Sequence, residues 1–425
     1  MPGSLWHTKF GNFAPRIGAA YQITPKTVVR GGFGVFYDLG YGNVGQAAFG
    51  FPYLRSSFIS ASPPLPFDVS NSAFQLPPFS TVIDQNLFQV STVDPNLRLP
   101  FTMQWNAAIE RDLGAKQTLT ATYVGSDARR LLRQDIIRAL VVSLGSTSPV
   151  FATRNAGYSH YNALQVQFQR RMSHGLQALV SYSLAKSSDL GSSDAIGLVA
   201  ASVNDIVLPP LTPSDFDTRH TLAGALSYEV PTPAWGRAGR AMLGGWAIDV
   251  LVRATSAPPI NVTVRGFSPV LGRYIAQADV VPGQPDWIAD PTQPSGKALN
   301  PAAFTSPALG QSGNFPRDGL RSPYSINQTD LALRRQFSLT ERLKLDLRAE
   351  YFNVFNHPMF GSPGSQCNPD SLWGSPGGTA RSAFGKLCPG ISTTNVDATI
   401  GFSGQSPLYA VGGPRSAQFT AKLHF

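Results

Sequence analysis

Leu164, Val166 and Phe168 alternate with Gln165, Gln167 and Gln169 in the stretch NALQVQFQRR. A period of two is that of a β-strand with one apolar and one polar face. The same alternation recurs along the chain. Phe101, Met103, Trp105, Ala107 and Ile109 share a face in FTMQWNAAIER, and Leu176, Ala178, Val180, Tyr182 and Leu184 share one in LQALVSYSLAKS. Leu343, Leu345, Leu347, Ala349 and Tyr351 oppose Lys344, Asp346, Arg348 and Glu350, and Ala417, Phe419, Ala421, Leu423 and Phe425 line one face of the last segment. The pattern predicts about eleven strands, near 14–23, 27–37, 100–112, 116–125, 159–171, 175–187, 218–230, 243–256, 326–337, 342–355 and 414–425. Most run about 10–14 residues, longer than the roughly 5–6 usual in globular sheets and suited to crossing a bilayer at a tilt. No segment carries a helical period.

The connections alternate in length. Short ones fall at 24–26, 113–115, 172–175 and 338–341, with a longer one near 231–242. Between these pairs lie long connections at 38–99, 126–158, 188–217, 257–325 and 356–413, rich in Gly, Pro, Ser and Asn and read as unstructured. A soluble domain rarely carries five such loops. A transmembrane β-barrel does, with tight turns at the periplasmic end and long loops outside. On this reading Leu164, Val166 and Phe168 face lipid, and the three glutamines face a wet or plugged lumen. Backbone groups in lipid must all be paired, which among sheets only a closed barrel achieves. Tyr37, Tyr123, Tyr182, Tyr228 and Trp246 sit at segment ends and read as interfacial girdles.

Direction follows from the turns. Segment 342–355 runs outward and 414–425 inward, so the C-terminus is expected in the periplasm. Segment 14–23 also runs inward, which makes it an even-numbered strand. Single-chain bacterial barrels have even strand numbers, so further strands are expected upstream of it.

Composition sharpens this picture. A length of 425 residues alone would suggest about three ordinary domains. Charged residues are only 14% of the chain, against roughly 25% in soluble domains, and Gly 40 with Pro 35 exceeds the usual share. No apolar run is long enough for a membrane helix, and the opening MPGSLWHTKF has no basic-then-apolar leader pattern. The net charge of +9 is scattered: Arg129-Arg130, Arg170-Arg171 and Arg334-Arg335 are the longest basic runs. None is a nucleic-acid arm, and a nucleic-acid partner is not expected.

Short motifs add little chemistry. GYGNVG at 40–45 matches a dinucleotide fingerprint, but no helix-forming sequence follows to hold a pyrophosphate. SLAK at 183–186 matches a serine-hydrolase motif, yet it ends an alternating strand and has no K-T-G partner. The six histidines include no metal-binding spacing. No catalytic residue, cofactor or metal is expected. Asp215, Asp217, Arg219 and His220, in DFDTRH at the mouth of a strand, read either as ligand contacts at the outer rim or as a charge cluster that anchors a loop.

The pieces PRIGAAYQITPKTVVRGGFGVFYD, DFDTRHTLAGALSYEVP, GGWAIDVLVRATSAPP and LRAEYFNVFNHPMFG resemble, in order and at fitting intervals, the C-terminal half of an Oar-like TonB-dependent receptor. The resemblance implies an all-β fold: an antiparallel barrel in the cell outer membrane, this chain supplying strands 12 to 22 of a 22-stranded whole. The signal peptide, regulatory-like domain and plug of such receptors find no counterpart in 1–425. It implies uptake of a substrate rather than enzymatic chemistry, the alternative being a surface or adhesion protein that uses the barrel as an anchor. The implied partners are outer-membrane lipid and lipopolysaccharide, the barrel-assembly machinery, and the TonB complex through the plug.

Three sets of residues take roles from this reading. Lys344, Asp346, Arg348 and Glu350 would face the plug. Phe425, with Leu423 and Phe419 on the same face, matches the terminal aromatic pattern that the assembly machinery reads. Cys367 and Cys388, the only cysteines, lie in a long outer loop in an oxidising compartment, where a disulfide is expected. A metal pair and two free thiols are the other readings, Asp370 being the only nearby extra ligand.

Overall fold

A computed structural model describes residues 9–38, 90–137, 150–192, 210–231, 244–268, 272–292, 295–305, 313–323, 325–340, 342–357 and 415–425, with a few isolated positions between them. Eleven strands form one antiparallel meander, each bonded to the next in sequence. They are β1 (Arg16–Thr24), β2 (Thr27–Tyr37), β3 (Phe101–Gly114), β4 (Gln117–Ile137), β5 (Val150–Ser173), β6 (Leu176–Asp189), β7 (His220–Glu229), β8 (Trp246–Thr255), β9 (Ile326–Ser338), β10 (Lys344–Phe352) and β11 (Ser416–His424). Two short strands, Val90–Val93 on β5 and Thr212–Pro213 on β6, bring the sheet to thirteen. The sheet is open, with β1 and β11 at its edges.

Register carries each apolar set onto its neighbours. Ile17 pairs with Phe33, Phe33 with Trp105, and Ala107 with Tyr123. Tyr123 pairs with Leu164, Leu164 with Leu184, and Tyr182 with Leu222. Leu226 pairs with Val250, Val250 with Leu331, Leu331 with Tyr351, and Ala349 with Phe419. Because a one-residue slip would turn every side chain over, this unbroken row defines one continuous apolar face across all eleven strands. Its large side chains are exposed or half-buried rather than packed on a core, Leu164 at 45% and Phe419 at 75% among the exposed ones. From Leu176 to Leu184 the face covers about eight steps of roughly 3.3 Å each, the height of a membrane-crossing strand. Gln165, Gln167, Asn106, Thr122 and Ser181 occupy the opposite face.

The tight connections are two-residue turns at the first three sites. Ala115 and Lys116 have φ of 48° and 62°, and His174 and Gly175 have 51° and 74°. Positive φ at both central residues is what a type I′ hairpin turn requires. Gly175 is fixed twice over: a Cβ there would stand 2.5 Å from the Glu229 carbonyl oxygen, because the Glu229 N–H donates to the Gly175 carbonyl at 2.7 Å.

Two of the long connections, 126–158 and 257–325, depart from the unstructured reading in their described residues, whereas 39–89, 193–209 and 358–414 lie outside the described residues. Residues 126–137 and 150–158 extend β4 and β5 well beyond the apolar belt. The alternation was hidden there by Arg129, Arg130 and Arg133 and by a bulge: the register shifts between Ala128 and Leu131, with Arg130 at φ 57°. In the connection 257–325, four short strand pairs fold over a core of Ile260, Val262, Ala278, Leu299, Phe304 and Phe315. Its two ends meet where Pro259–Ile260 pairs with Leu320–Arg321. Its Pro, Asp and Asn residues make turns and caps within a folded unit. Asn300, for example, accepts from the Ala302 N–H at 3.1 Å and donates to the Pro285 carbonyl at 2.8 Å.

Candidate functional site

Two regions gather charge. The first is the polar face. Arg334 Nε donates to Asp249 Oδ2 at 3.1 Å, Ser227 Oγ donates to Asp249 Oδ1 at 2.6 Å, and Arg334 Nη2 donates to Ser227 Oγ at 3.1 Å. Arg348 Nη2 lies 3.1 Å from Glu350 Oε1 and 4.0 Å from Asp249 Oδ2. Arg348 and Glu350 thus join a ladder of alternating charge across β7 to β10. Lys344 and Asp346 lie on the same face, paired in register with His424 and Lys422 of β11. Apolar residues interrupt this face in places: Leu179, Ala225 and Leu251 lie in one register row across β6, β7 and β8. Leu251 is 53% exposed there. They floor a concavity whose rim carries Ser181, Arg253, Gln328 and Asp330.

The second region is the end bearing the long connections. Asp215 Oδ1 accepts from Arg317 Nη1 at 2.8 Å. Arg317 also donates to Asp318 Oδ2 at 2.9 Å, Thr212 Oγ1 at 3.1 Å, Ser192 Oγ at 3.3 Å, the Asp189 carbonyl at 3.0 Å and the Pro213 carbonyl at 3.1 Å, and it pairs with the Asp189 carboxylate. Asp217 is enclosed; it accepts from the Ser187 N–H at 2.7 Å and is held by Arg321, with Arg219 at 3.8 Å. The Arg317 guanidinium therefore serves three aspartate side chains. Asp318 is buried and faces Asp215 and Asp189 as well as Arg317. Burial first, and then the hydrogen bond and charge of Asp215, raise its carboxyl to about 9. The Arg317 contact alone would favour the ionised form, but the acidic neighbours and the loss of water outweigh it, so Asp318 is protonated at neutral pH.

His220 lies elsewhere. It pairs in register with Leu184 on the apolar face, and its Nδ1 is 2.8 Å from the Tyr182 hydroxyl. Tyr37, Tyr123 and Tyr182 lie toward the long-connection end of the apolar face, and Tyr228 and Trp246 toward the tight-turn end, where Arg335 stacks over Trp246 at 4.9 Å. The aromatics thus border the apolar face at both ends. Phe419, Leu423 and Phe425 are exposed at the free edge, Phe419 with its ring edge-on to Tyr351 at 6.5 Å. Cys367 and Cys388 lie outside the described residues. Among the described residues, no cluster of His, Cys, Asp or Glu is arranged to hold a metal ion.

A family model described as an outer membrane beta barrel domain matches residues 1–394. The chain belongs to that family. Its apolar face is therefore the lipid face of an outer-membrane sheet, and the tight turns mark the periplasmic end. No curated protein matches the sequence. Among solved structures the chain is similar to the ferric-catecholate import receptor Fiu of Escherichia coli at 12% identity, covering 96% of this chain and 34% of that one with a TM-score of 0.40. It is similar to the outer membrane transporter YddB of Escherichia coli at 12% identity, with coverages of 82% and 38% and a TM-score of 0.45. The ferric enterobactin receptor PfeA of Pseudomonas aeruginosa, in a mutant form, gives 11% identity, coverages of 97% and 40% and a TM-score of 0.42. The chain spans well under two thirds of the length of each.

Arg317, Asp318, Asp189 and Arg321 escaped the sequence reading. Asp215 and Asp217 stand about a hundred positions from their arginines, and no spacing rule connects such distant loop residues.

Proposed function

We propose that this chain is the C-terminal half of the barrel of a TonB-dependent transporter in the outer membrane, with no enzymatic activity of its own. The observation that carries the reading is the direction of the two edge strands. Eleven consecutive antiparallel strands leave β1 and β11 running the same way. Closing them on each other, or on a second copy of the chain, would need a parallel seam. An all-antiparallel closure needs an odd number of further strands, and eleven more make the twenty-two of the receptors that the sequence resembles. Edge backbone groups cannot remain unpaired in lipid, so further strands, odd in number, are required to pair them.

In this reading the charge ladder on the inner face, with Lys344, Asp346, Arg348 and Glu350, receives a plug supplied by the rest of the protein. Charged side chains suit that task because they hold a removable domain through contacts that water can replace. Outer loops capture the substrate, while Asp215 and Asp217 of the DFDTRH segment serve to hold two of those loops together. The TonB complex then moves the plug, and the substrate passes along the polar face. Phe425, with Leu423 and Phe419, is read by the assembly machinery, lipopolysaccharide surrounds the outer rim, and Cys367 and Cys388 close the last outer loop. Photocrosslinking the full-length protein to TonB in living cells tests the proposal. A TonB adduct that forms only when the upstream part of the protein is present supports it. An assembled barrel that never crosslinks to TonB would sink it and leave a surface anchor as the function.

A further inference from the structure

The connections 190–217 and 257–325 join different strand pairs, β6 to β7 and β8 to β9, yet two side chains bind them together. Arg317 spreads its donors over acceptors on residues 189–192, 212–215 and 318. Arg321 holds both the carboxylate and the carbonyl of Asp217 and reaches the Ala257 carbonyl at 3.5 Å. A planar guanidinium matches such a set of acceptors only in one orientation.

Both partners are stiff. The segment 212–217 is bonded to the end of β6 through Thr212–Pro213, the Ser214 N–H to the Ser187 carbonyl at 3.0 Å, and the Ser187 N–H to Asp217. The unit 258–322 has its own apolar core, and Arg321 belongs to the strand pair that closes its base. Two rigid pieces pinned at two points cannot shift separately without breaking both pins. Separating them would also take from Asp189 its cation and leave Asp217 with only the longer contact to Arg219 at 3.8 Å, a loss costlier than the pairing is favourable.

We propose that residues 210–217 and the described residues of 258–322 form a single cap at the extracellular end of the sheet, locked by Arg317 and Arg321, so that neither opens without the other. This deepens the transporter reading and rests on it only for the cap's purpose, the admission of substrate as one two-loop unit instead of loop by loop.

Hydrogen exchange on the full-length protein in outer-membrane lipid vesicles tests it. Peptides covering 210–217 and 313–322 report the cap, and peptides from β7 and β8 report the barrel. With Arg317→Ala, exchange should rise in both cap peptides by about tenfold or more while the strand peptides hold their protection. Should that variant fail to assemble, Arg317→Lys decides: it keeps the charge and loses the fork, and both cap peptides should loosen together to a smaller degree. Loosening confined to 313–322, or no loosening in either, overturns the proposal. The readout needs neither substrate nor TonB, so a failed crosslink to TonB leaves the cap standing, and an uncoupled cap leaves the transporter reading standing.

Discussion

The indole of Trp105 covers Gly125 on the lipid face: the two are register partners on β3 and β4, and any Cβ at position 125 would overlap the indole ring. A glycine in a strand normally weakens it. Here a flat ring fills the missing side chain's place, an arrangement known to rescue glycines in sheets. Gly125→Val should force the indole off its rotamer and cost about 1–3 kcal/mol. Urea titration of the complete barrel in lipid vesicles measures this, with Trp105→Phe as the companion variant. A Gly125→Val barrel as stable as the parent would show that the ring does not rest there.

The assignment of faces gives a sharper contrast between neighbours. Phe168 pairs with Leu119 and Val180 on the apolar face, while Gln167 pairs with Thr120 and Ser181 on the other. Arg at a mid-bilayer lipid-facing site costs roughly 2–4 kcal/mol, and little in a wet lumen. Phe168→Arg should therefore lower the unfolding free energy by that amount and Gln167→Arg should leave it nearly unchanged. Leu345→Arg is expected to behave as Phe168→Arg does. Equal costs at 167 and 168 would refute the assignment.

At the periplasmic end, Gly175→Ala meets two penalties at once. Its φ of 74° disfavours an L side chain, and the new Cβ would press on the Glu229 carbonyl oxygen. We expect a loss above about 1 kcal/mol. Gly114→Ala is the control, because its φ of 79° is similar but nothing lies within 4 Å of its Cβ. If the two variants cost the same, backbone strain alone accounts for the effect and the contact with Glu229 is irrelevant.

What the sequence made legible was the part of the fold governed by a local period. All eleven meander strands were readable because lipid imposes apolar residues at every second position, as at Leu164, Val166 and Phe168. The turns were readable because short connections between such strands leave few residues to spend. The extensions of β4 and β5 were not, since outside lipid both faces of a strand are polar and Arg129 to Arg133 show no alternation. The folded unit at 258–322 was missed for a related reason: its core residues, Ile260, Leu299 and Phe304 among them, come together from distant points rather than by period. The charged residues of DFDTRH drew notice, but their partners Arg317 and Arg321 are contributed by another connection, which no reading of one segment can supply. Leu179 and Leu251 on the polar face were likewise hidden, being single exceptions inside patterns that otherwise read correctly.

The proton on Asp318 supplies the last test. The groups facing it are Asp215, Asp189 and Arg317, with Asp217, Arg219 and Arg321 in the adjoining pair. Its carboxyl stands at about 9, far above the free value of 3.8; burial is the largest cause, and the hydrogen bond and charge of Asp215 and the charge of Asp189 come from the other connection. Undocking removes those acidic neighbours and lowers the carboxyl, so below about 9 the docked state holds more proton than the undocked state, and docking weakens as pH climbs toward that value. Asp318→Asn keeps a donor and an acceptor in place without the ionisation, and should flatten this dependence. Hydrogen exchange of 313–322 followed from pH 5 to pH 9, corrected for the intrinsic rate, gives the measurement. The parent protein should lose protection steadily over the range and the Asn variant should not. A parent protein whose corrected protection is constant across the range, or an Asn variant with the same slope as the parent, would mean that Asp318 is ionised in the docked state and that Arg317 outweighs its acidic neighbours after all.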